Sequence, residues 1–254
     1  MISLAGKAAL ITGGSRGIGA ATVKIFAQAG ADVVFNYHRN LDAAEHVEQE
    51  ARKHGTRVEA TKADLARMAD ARRLVRYAIE RLGHLDILVA NAGIWSAPAA
   101  PIEKMAEQEW DEMIRVNLKS VYAVTHFAAQ HMIPRRTGRI IAISSTAGQR
   151  GEAFHSDYAA AKGAVISFVK SLSTELARHN VLVNCVAPGW VDTDMARPVL
   201  QTKAGAKFAT SAIPLGRVAT PEEIAGPILF LASDLATFLT GEILNVNGGA
   251  VLCG

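Results

Sequence analysis

Short apolar segments alternate with longer amphipathic segments along almost the whole chain, and this alternation constrains the fold more than any single motif. Seven short segments rich in β-branched residues predict strands, and the segments between them have helical periodicity. Strands that are apolar along their full length are typical of a parallel sheet with helices on both faces. The predicted strands are 8–12, 32–37, 57–62, 85–90, 139–143, 181–187 and 242–246.

The amphipathic segments predict the helices that cover this sheet. The last helix has a clear start signal, because Thr220 can cap it, Pro221 suits its first position and Glu223 completes a capping box. No linker, repeat or low-complexity tract interrupts the pattern, so we expect one α/β domain over residues 1–254. The predicted helices are 18–29, 41–54, 68–82, 105–132, 158–178 and 221–231.

Composition and charge argue against several classes of protein. The formal net charge of +3 is too small to indicate a nucleic-acid partner. No apolar run approaches the roughly 18 residues of a membrane span, and strand-like sequence begins too early to leave room for a signal peptide. Cys185, Cys253 and eight histidines lack the spacing of a disulfide scaffold or a metal site. We therefore expect a cytoplasmic protein that binds neither nucleic acid, membrane nor metal.

A glycine-rich turn follows the first predicted strand and opens directly into a helix. Its glycines have the spacing Gly-x-x-x-Gly-x-Gly, in the sequence TGGSRGIG over residues 12–19. In this context Gly13 permits a tight turn, Gly17 lets the backbone approach a pyrophosphate, and Gly19 allows close helix–sheet packing. The alternative is a glycine turn that binds no ligand.

The end of the second strand carries information about the adenosine half of a dinucleotide. An NAD site usually has an acidic residue there, but residues 36–40 read NYHRN and contain none. Arg39 lies in this segment and Arg16 lies in the glycine turn, so two guanidinium groups are available for a 2′-phosphate. This combination predicts NADP(H), with two solvated arginines as the alternative.

The remaining strand ends also carry small or polar residues, as expected where ligands bind at the carboxyl ends of parallel strands. Asp64 either accepts a hydrogen bond from an adenine amino group or caps the next helix. Later strands are followed by the segments 91–93, 144–145 and 188–193. The presence of small or polar residues at all these strand ends is harder to explain by packing than any one motif is.

Tyr158 and Lys162 lie four residues apart in a helical pattern, so they share one helix face. Ser145, at the end of a strand, is a third candidate for the same small space. If the Tyr–Lys pair is considered alone, the alternative to a catalytic site is a solvent-exposed helix face.

Together these motifs resemble the classical short-chain dehydrogenase/reductase family, and most of all its 3-oxoacyl-(acyl-carrier-protein) reductases. The resemblance rests on residues 12–19, 91–93, Asn117, Ser145, Tyr158-Ala-Ala-Ala-Lys162 and Pro188-Gly189, in that order along the chain. It implies a single-domain Rossmann fold with a seven-stranded parallel sheet, a nicotinamide cofactor, and a homotetramer built on the two long helices. The cofactor-binding residues it implies are Gly13, Ser15, Arg16, Gly17, Ile18, Gly19, Arg39, Asp64, Leu65, Asn91, Ala92, Gly93, Tyr158, Lys162, Pro188, Gly189, Val191 and Thr193.

The resemblance also implies catalytic roles for four residues. Tyr158 would be the general acid in carbonyl reduction and the general base in alcohol oxidation. Lys162 would lower the pKa of Tyr158, ordinarily about 10, and hold the nicotinamide ribose. Ser145 would donate a hydrogen bond to the carbonyl oxygen, and Asn117 would bind a water that links Lys162 to solvent.

The substrate is less constrained by the sequence than the reaction. Residues 189–212 are a predicted lid. Arg135, Arg136 and Arg178 suggest a basic patch for an acidic carrier protein. Trp95 and Phe154 depart from the small and polar residues usual in the carrier-protein reductases, so a 3-oxoacyl thioester and another ketone both remain open. An NAD-linked dehydrogenase of alcohols or sugars and a non-enzymatic dinucleotide sensor are the other hypotheses. The candidate substrate residues are Trp95, Gln149, Phe154 and Trp190.

Overall fold

The computed structural model describes residues 2–95 and 99–252, which form a seven-stranded parallel sheet with helices on both faces. The strand order is β3-β2-β1-β4-β5-β6-β7, so the sheet grows outward in both directions from β1 and β4. This confirms the predicted fold class. The strands are β1 (Ala8–Ile11), β2 (Asp32–Tyr37), β3 (Val58–Lys62), β4 (Ile87–Ala90), β5 (Gly138–Ile143), β6 (Val181–Pro188) and β7 (Ile243–Val246).

The helices connect successive strands and match most of the predicted positions. Thr220 caps the last helix as predicted, because its hydroxyl accepts from the Glu223 amide at 3.4 Å while the Glu223 carboxylate accepts from the Thr220 amide at 2.9 Å. No helix in the described ranges is long and apolar enough to cross a bilayer. The helices are α1 (Gly17–Gln28), α2 (Leu41–Arg52), α3 (Met68–Leu82), α4 (Glu107–Ile114), α5 (Ser120–Arg135), α6 (Thr146–Arg150), α7 (Ser156–Leu176), α8 (Arg197–Leu200), α9 (Lys203–Ser211) and α10 (Pro221–Ala232).

Two features of the helices differ from the sequence prediction. The predicted helix 105–132 is two α-helices, α4 and α5, joined by a π-helical segment at Arg115–Lys119. Helices α6, α8 and α9 were not predicted, because segments of four to nine residues are too short to reveal helical periodicity.

The core consists of two layers, one on each face of the sheet. Along β1 the side chains alternate between them: Leu10 belongs to the cluster that includes residues of α3, α5 and α7, and Ile11 to the cluster with residues of α1, α2 and α10. Alternation with a period of two is the geometry of a strand buried on both faces. Because both faces of the sheet are covered by helices, the strand sequences are apolar at successive positions.

The strand order reverses between β1 and β4, which are direct neighbours although α1, β2, α2, β3 and α3 separate them in the chain. The connections after these two strands run in opposite directions and leave a crevice at their carboxyl ends. The glycine turn and residues 91–93 therefore lie side by side.

Candidate active site

A cavity of about 650 Å³ occupies the carboxyl ends of the strands. It brings together residues that are distant in sequence but follow different strands, as the topology rule predicts. Within the described ranges, no three His, Cys, Asp or Glu side chains are placed to hold a metal ion. The predicted residues that line the cavity are Gly13, Ser15, Arg16, Gly17, Ile18, Gly19, Arg39, Asp64, Leu65, Asn91, Ala92, Gly93, Trp95, Asn117, Ser145, Tyr158, Lys162, Pro188, Gly189, Trp190, Val191 and Thr193.

The glycine turn is shaped by close backbone contacts. Gly13 and Gly17 have φ angles of +66° and +52°, a region that favours glycine. A Cβ on Gly19 would lie 2.1 Å from the carbonyl oxygen of Gly13, and one on Gly17 would lie 3.0 Å from a Thr193 methyl group. The turn is therefore tightly packed, and its glycines line the cavity at the start of α1.

Asn36 holds this turn from the neighbouring strand, a role that the sequence did not reveal. Its side-chain oxygen accepts from the Gly13 amide at 3.0 Å, and its side-chain nitrogen donates to the Ala63 carbonyl at 3.1 Å. The residue is buried. A polar amide within the otherwise apolar end of β2 was the only sequence signal.

Thr12 and Asn91 join the ends of β1 and β4. The Thr12 hydroxyl accepts from the amides of Asn91 and Ala92, both at 2.9 Å. The Asn91 side chain in turn donates to the carbonyls of Thr12 at 2.9 Å and Gly13 at 3.3 Å. These four bonds fix the glycine turn relative to the next strand.

The three charged residues predicted to contact the adenosine half of the cofactor all line the cavity: Arg16, Arg39 and Asp64. Arg16 lies 3.4 Å from Asp194, and Arg39 makes no hydrogen bond or ion pair with any described residue. Asp64 accepts from the Ala66 amide at 3.2 Å and lies 3.5 Å from Arg115. The residue at the N-cap of α3 is Arg67, so the alternative of Asp64 as a helix cap is wrong.

Tyr158 and Lys162 lie on the buried side of α7, which excludes the solvated helix face. Tyr158 is 8% exposed and Lys162 is 4% exposed. The Lys162 ammonium is 5.7 Å from the centre of the Tyr158 ring and donates to the Ile143 carbonyl at 2.8 Å. Ser145 sits at the N-cap of α6, where its hydroxyl accepts from the Ala147 amide at 3.1 Å.

Burial is the largest influence on the acidity of both groups. It raises the pKa of Tyr158 to about 12, although a hydrogen bond with the Ser145 side chain opposes the change. It lowers the pKa of Lys162 to about 8. The net shift of the Tyr158 pKa is thus upward, and a lowering of this pKa by Lys162 once the cofactor is bound stays a prediction. At neutral pH Tyr158 is therefore a neutral phenol, able to donate a proton.

Asn117 lies in the π-helical segment and is fully buried. Its side chain exchanges two hydrogen bonds with the backbone of Ile94, each 3.0 Å long. A Cβ on Gly93 would lie 2.5 Å from the Asn117 side-chain oxygen and 3.5 Å from the Lys162 nitrogen. The π-helical turn thus places Asn117 beside Lys162, and its role in a water relay stays a prediction.

An aromatic cluster centred on Trp95 lies beside Tyr158. The Trp95 ring lies 4.7 Å from the Tyr158 ring in an edge-on arrangement and 3.9 Å from the His155 ring. Trp190 completes the cluster at 6.4 Å from Trp95. Burial lowers the pKa of His155.

Two of the four candidate substrate residues lie outside the cavity. Gln149 belongs to α6 and donates from its side chain to Asn245 in β7. Phe154 is 60% exposed, with a φ angle of +63°. Of the basic residues predicted to meet a carrier protein, Arg136 donates to the Arg178 carbonyl at 3.1 Å, so these two lie together at the surface.

Comparison with known proteins agrees with this geometry. A family model described as enoyl-(acyl carrier protein) reductase matches residues 13–251. A 3-oxoacyl-(acyl-carrier-protein) reductase of Chlamydia muridarum is 40% identical over 97% of this chain and 98% of its own, and one of Thermotoga maritima is 40% identical over 98% and 99%. A short-chain dehydrogenase of Burkholderia cenocepacia, solved in complex with NADP, superposes with a TM-score of 0.90 at 33% identity, covering 97% of this chain and 98% of that one.

The fold and the strand-end residues define a Rossmann-type oxidoreductase. The matches extend over nearly the whole chain and include proteins with well over 30% identity. The protein belongs to the short-chain dehydrogenase/reductase family and is similar to its 3-oxoacyl-(acyl-carrier-protein) reductases.

Proposed function

We propose that the protein reduces a ketone, either a 3-oxoacyl thioester or a similar compound, to a secondary alcohol with NADPH. One observation carries the proposal: a buried, neutral Tyr158 lies beside Lys162 and Ser145 in the cavity that the glycine turn borders. The names of the Chlamydia and Thermotoga relatives support the reaction type, since both are called 3-oxoacyl reductases.

The cavity fits a dinucleotide at its glycine turn. A Cβ on Gly17 would lie 3.0 Å from the Thr193 methyl group, so its absence leaves room for a pyrophosphate, while the missing Cβ of Gly19 lets α1 begin close to the Gly13 carbonyl. Arg16 and Arg39 supply guanidinium groups for a 2′-phosphate. The Burkholderia structure with NADP supports the choice of NADP(H) over NAD(H). The other predicted cofactor residues line the same cavity.

When bound, NADPH would supply the hydride for the carbonyl carbon in the proposed reaction. Tyr158 gives its phenolic proton to the carbonyl oxygen, which balances the charge that develops there. The Ser145 hydroxyl donates a hydrogen bond to the same oxygen. Lys162 remains mostly protonated at neutral pH, and its ammonium stabilises the phenolate that Tyr158 leaves behind.

The test is a substrate screen that follows NADPH absorbance and includes a 3-oxoacyl thioester, run on the wild-type protein and on Tyr158→Phe. We expect Tyr158→Phe to bind NADPH normally and to lose nearly all turnover, because it has no proton to donate. Tyr122→Phe is a matched control, since Tyr122 is 44% exposed on α5 and does not line the cavity. Comparable turnover in Tyr158→Phe would refute the assignment.

A fluorescence titration separates this proposal from an NAD-linked dehydrogenase. Tighter binding of NADH than of NADPH would contradict the assigned roles of Arg16 and Arg39. The single domain over residues 1–254, the lid around 189–212, the homotetramer, the cytoplasmic location and the carrier-protein partner stay predictions from the sequence.

A further inference from the structure

Trp95 is placed where it can select the substrate of the proposed reaction. Its ring meets the edge of the Tyr158 ring at 4.7 Å, closer to the proposed proton donor than any other aromatic ring contact found in the described residues. It is partly buried and lines the cavity. A group bonded to a carbonyl carbon next to Tyr158 would therefore meet this indole.

The position of the Trp95 ring is fixed by its neighbours. His155 stacks on it at 3.9 Å with an interplanar angle of 34°, and His155 does not line the cavity. The stacked face of the indole is thus covered by protein. A ring held in this way presents a rigid surface to a ligand and loses little conformational entropy when the ligand binds.

A second indole extends the surface. Trp190 follows β6 and meets Trp95, which follows β4, at 6.4 Å in an edge-on arrangement. Ser145, at the end of the intervening strand β5, lines the same cavity. Ile94 and Met195 are further apolar side chains of the lining. Ile94 and Trp95 both pack against the cluster that contains Tyr158, so the cavity beside the proposed proton donor has an apolar and aromatic wall.

We propose that Trp95 is a specificity-determining residue and that the substrate is a ketone with an aryl group on the carbonyl carbon. This inference rests on the proposed function and names its substrate class. Aromatic rings pack favourably against one another in edge-on and offset arrangements, and these are the arrangements that Trp95 already makes with Tyr158 and Trp190. A flexible alkyl chain would gain less from the same rigid surface, because it loses rotational freedom on binding.

The test compares two 3-oxo esters that differ only in the group on the ketone carbon: ethyl benzoylacetate, with phenyl, and ethyl 3-oxobutanoate, with methyl. The measured quantity is the ratio of their kcat/KM values with NADPH. We expect a ratio of about ten or more in the wild-type protein, a fall of roughly tenfold in Trp95→Ala, and partial recovery in Trp95→Phe. The change should lie mainly in KM for the phenyl ester.

Trp110→Ala is the matched control, since Trp110 is 38% exposed on α4 and does not line the cavity. It should keep the wild-type ratio. An unchanged ratio in Trp95→Ala, or equal losses on both esters, would overturn the inference and leave ketone reduction intact. A rise in activity on the phenyl ester in Trp95→Ala would also overturn it, because the indole would then be an obstacle. If the wild-type protein oxidises NADPH with no ketone of the screen, the proposed function itself fails and this inference fails with it.

Discussion

Asp194 pairs with Arg16 and would compete for it with the 2′-phosphate of the proposed cofactor. The Arg16 guanidinium, which we propose to hold the 2′-phosphate of NADPH, is 3.4 Å from the Asp194 carboxylate. Asp194 also pairs with Arg197. Binding a phosphate through Arg16 therefore requires the ion pair with Asp194 to be weakened. We predict that Asp194→Asn binds NADPH more tightly than the wild-type protein does.

The structure limits the size of this effect. At 3.4 Å, two unit charges attract by about 1.2 kcal/mol in a medium with the dielectric constant of water. The side chains of Arg16 and Asp194 are 59% and 38% exposed, so solvent screens the pair. Exposed ion pairs are typically worth about 0.2–1 kcal/mol. The expected gain in NADPH affinity is therefore only about 1.4- to fivefold.

The assay is a fluorescence titration of NADPH and NADH against the wild-type protein, Asp194→Asn and Arg197→Gln. NADH lacks the 2′-phosphate, so its affinity should change little in Asp194→Asn. Arg197→Gln is the matched control, because it removes the other partner of Asp194 and leaves Arg16 paired more strongly; it should weaken NADPH binding. High salt should reduce the difference between the variants. Equal tightening of NADPH and NADH in Asp194→Asn, or weaker NADPH binding, would refute the reasoning.

Two further predictions concern the glycine turn and the hydrogen bond between His131 and Leu85, just before β4. Gly19→Ala should lower the melting temperature and weaken NADPH binding more than tenfold, because its Cβ would lie 2.1 Å from the Gly13 carbonyl oxygen. The control is Gly226→Ala in α10, where the added Cβ would meet no atom within 4 Å. This control should be neutral or stabilising in the same thermal unfolding assay. His131 accepts from the Leu85 amide at 3.2 Å as a neutral ring, and burial holds its pKa below 6.5. The unfolded chain takes up a proton on His131 more readily than the folded protein does, so the stability present above about pH 6.5 is lost as the pH falls through the folded-state pKa of His131. Melting curves between pH 7.5 and 5 should show a smaller drop in melting temperature for His131→Gln than for the wild-type protein. An identical drop in both proteins would contradict the assignment to His131.

The strands could be predicted from the sequence because burial on both faces of the sheet requires an apolar residue at successive positions. Leu10 and Ile11 are buried on opposite faces of the sheet, so neither position tolerates a polar residue and the run is apolar throughout. The π-helical turn at Arg115–Lys119 has no such signal. Its neighbours α4 and α5 keep helical periodicity, and one widened turn between them changes the direction of Asn117 without changing the residue types that a helix favours.

The residues of the site could be predicted where they come directly after a strand. Gly13, Asn91 and Ser145 all line the cavity because parallel strands deliver their carboxyl ends to one edge. Asn36 was missed because its partner Gly13 lies 23 residues away, and only the pairing of β1 with β2 brings them together. Gln149 was placed wrongly in relation to the cavity because α6 was not predicted, and this helix gives Gln149 a partner in β7.

The acidity of Tyr158 shows why three-dimensional burial decides the chemistry. Its spacing from Lys162 on a helix suggests an activated phenolate, but spacing contains no information about desolvation. In the structure both residues are buried, and burial favours the neutral form of each: the pKa of Tyr158 rises to about 12 while that of Lys162 falls to about 8. The raised pKa means that Tyr158 holds its proton at neutral pH, and it also makes this phenol a weaker acid than a free tyrosine. At neutral pH the protein's own groups are therefore in the protonation state that carbonyl reduction requires, and alcohol oxidation would need an additional positive charge near Tyr158 to form the phenolate.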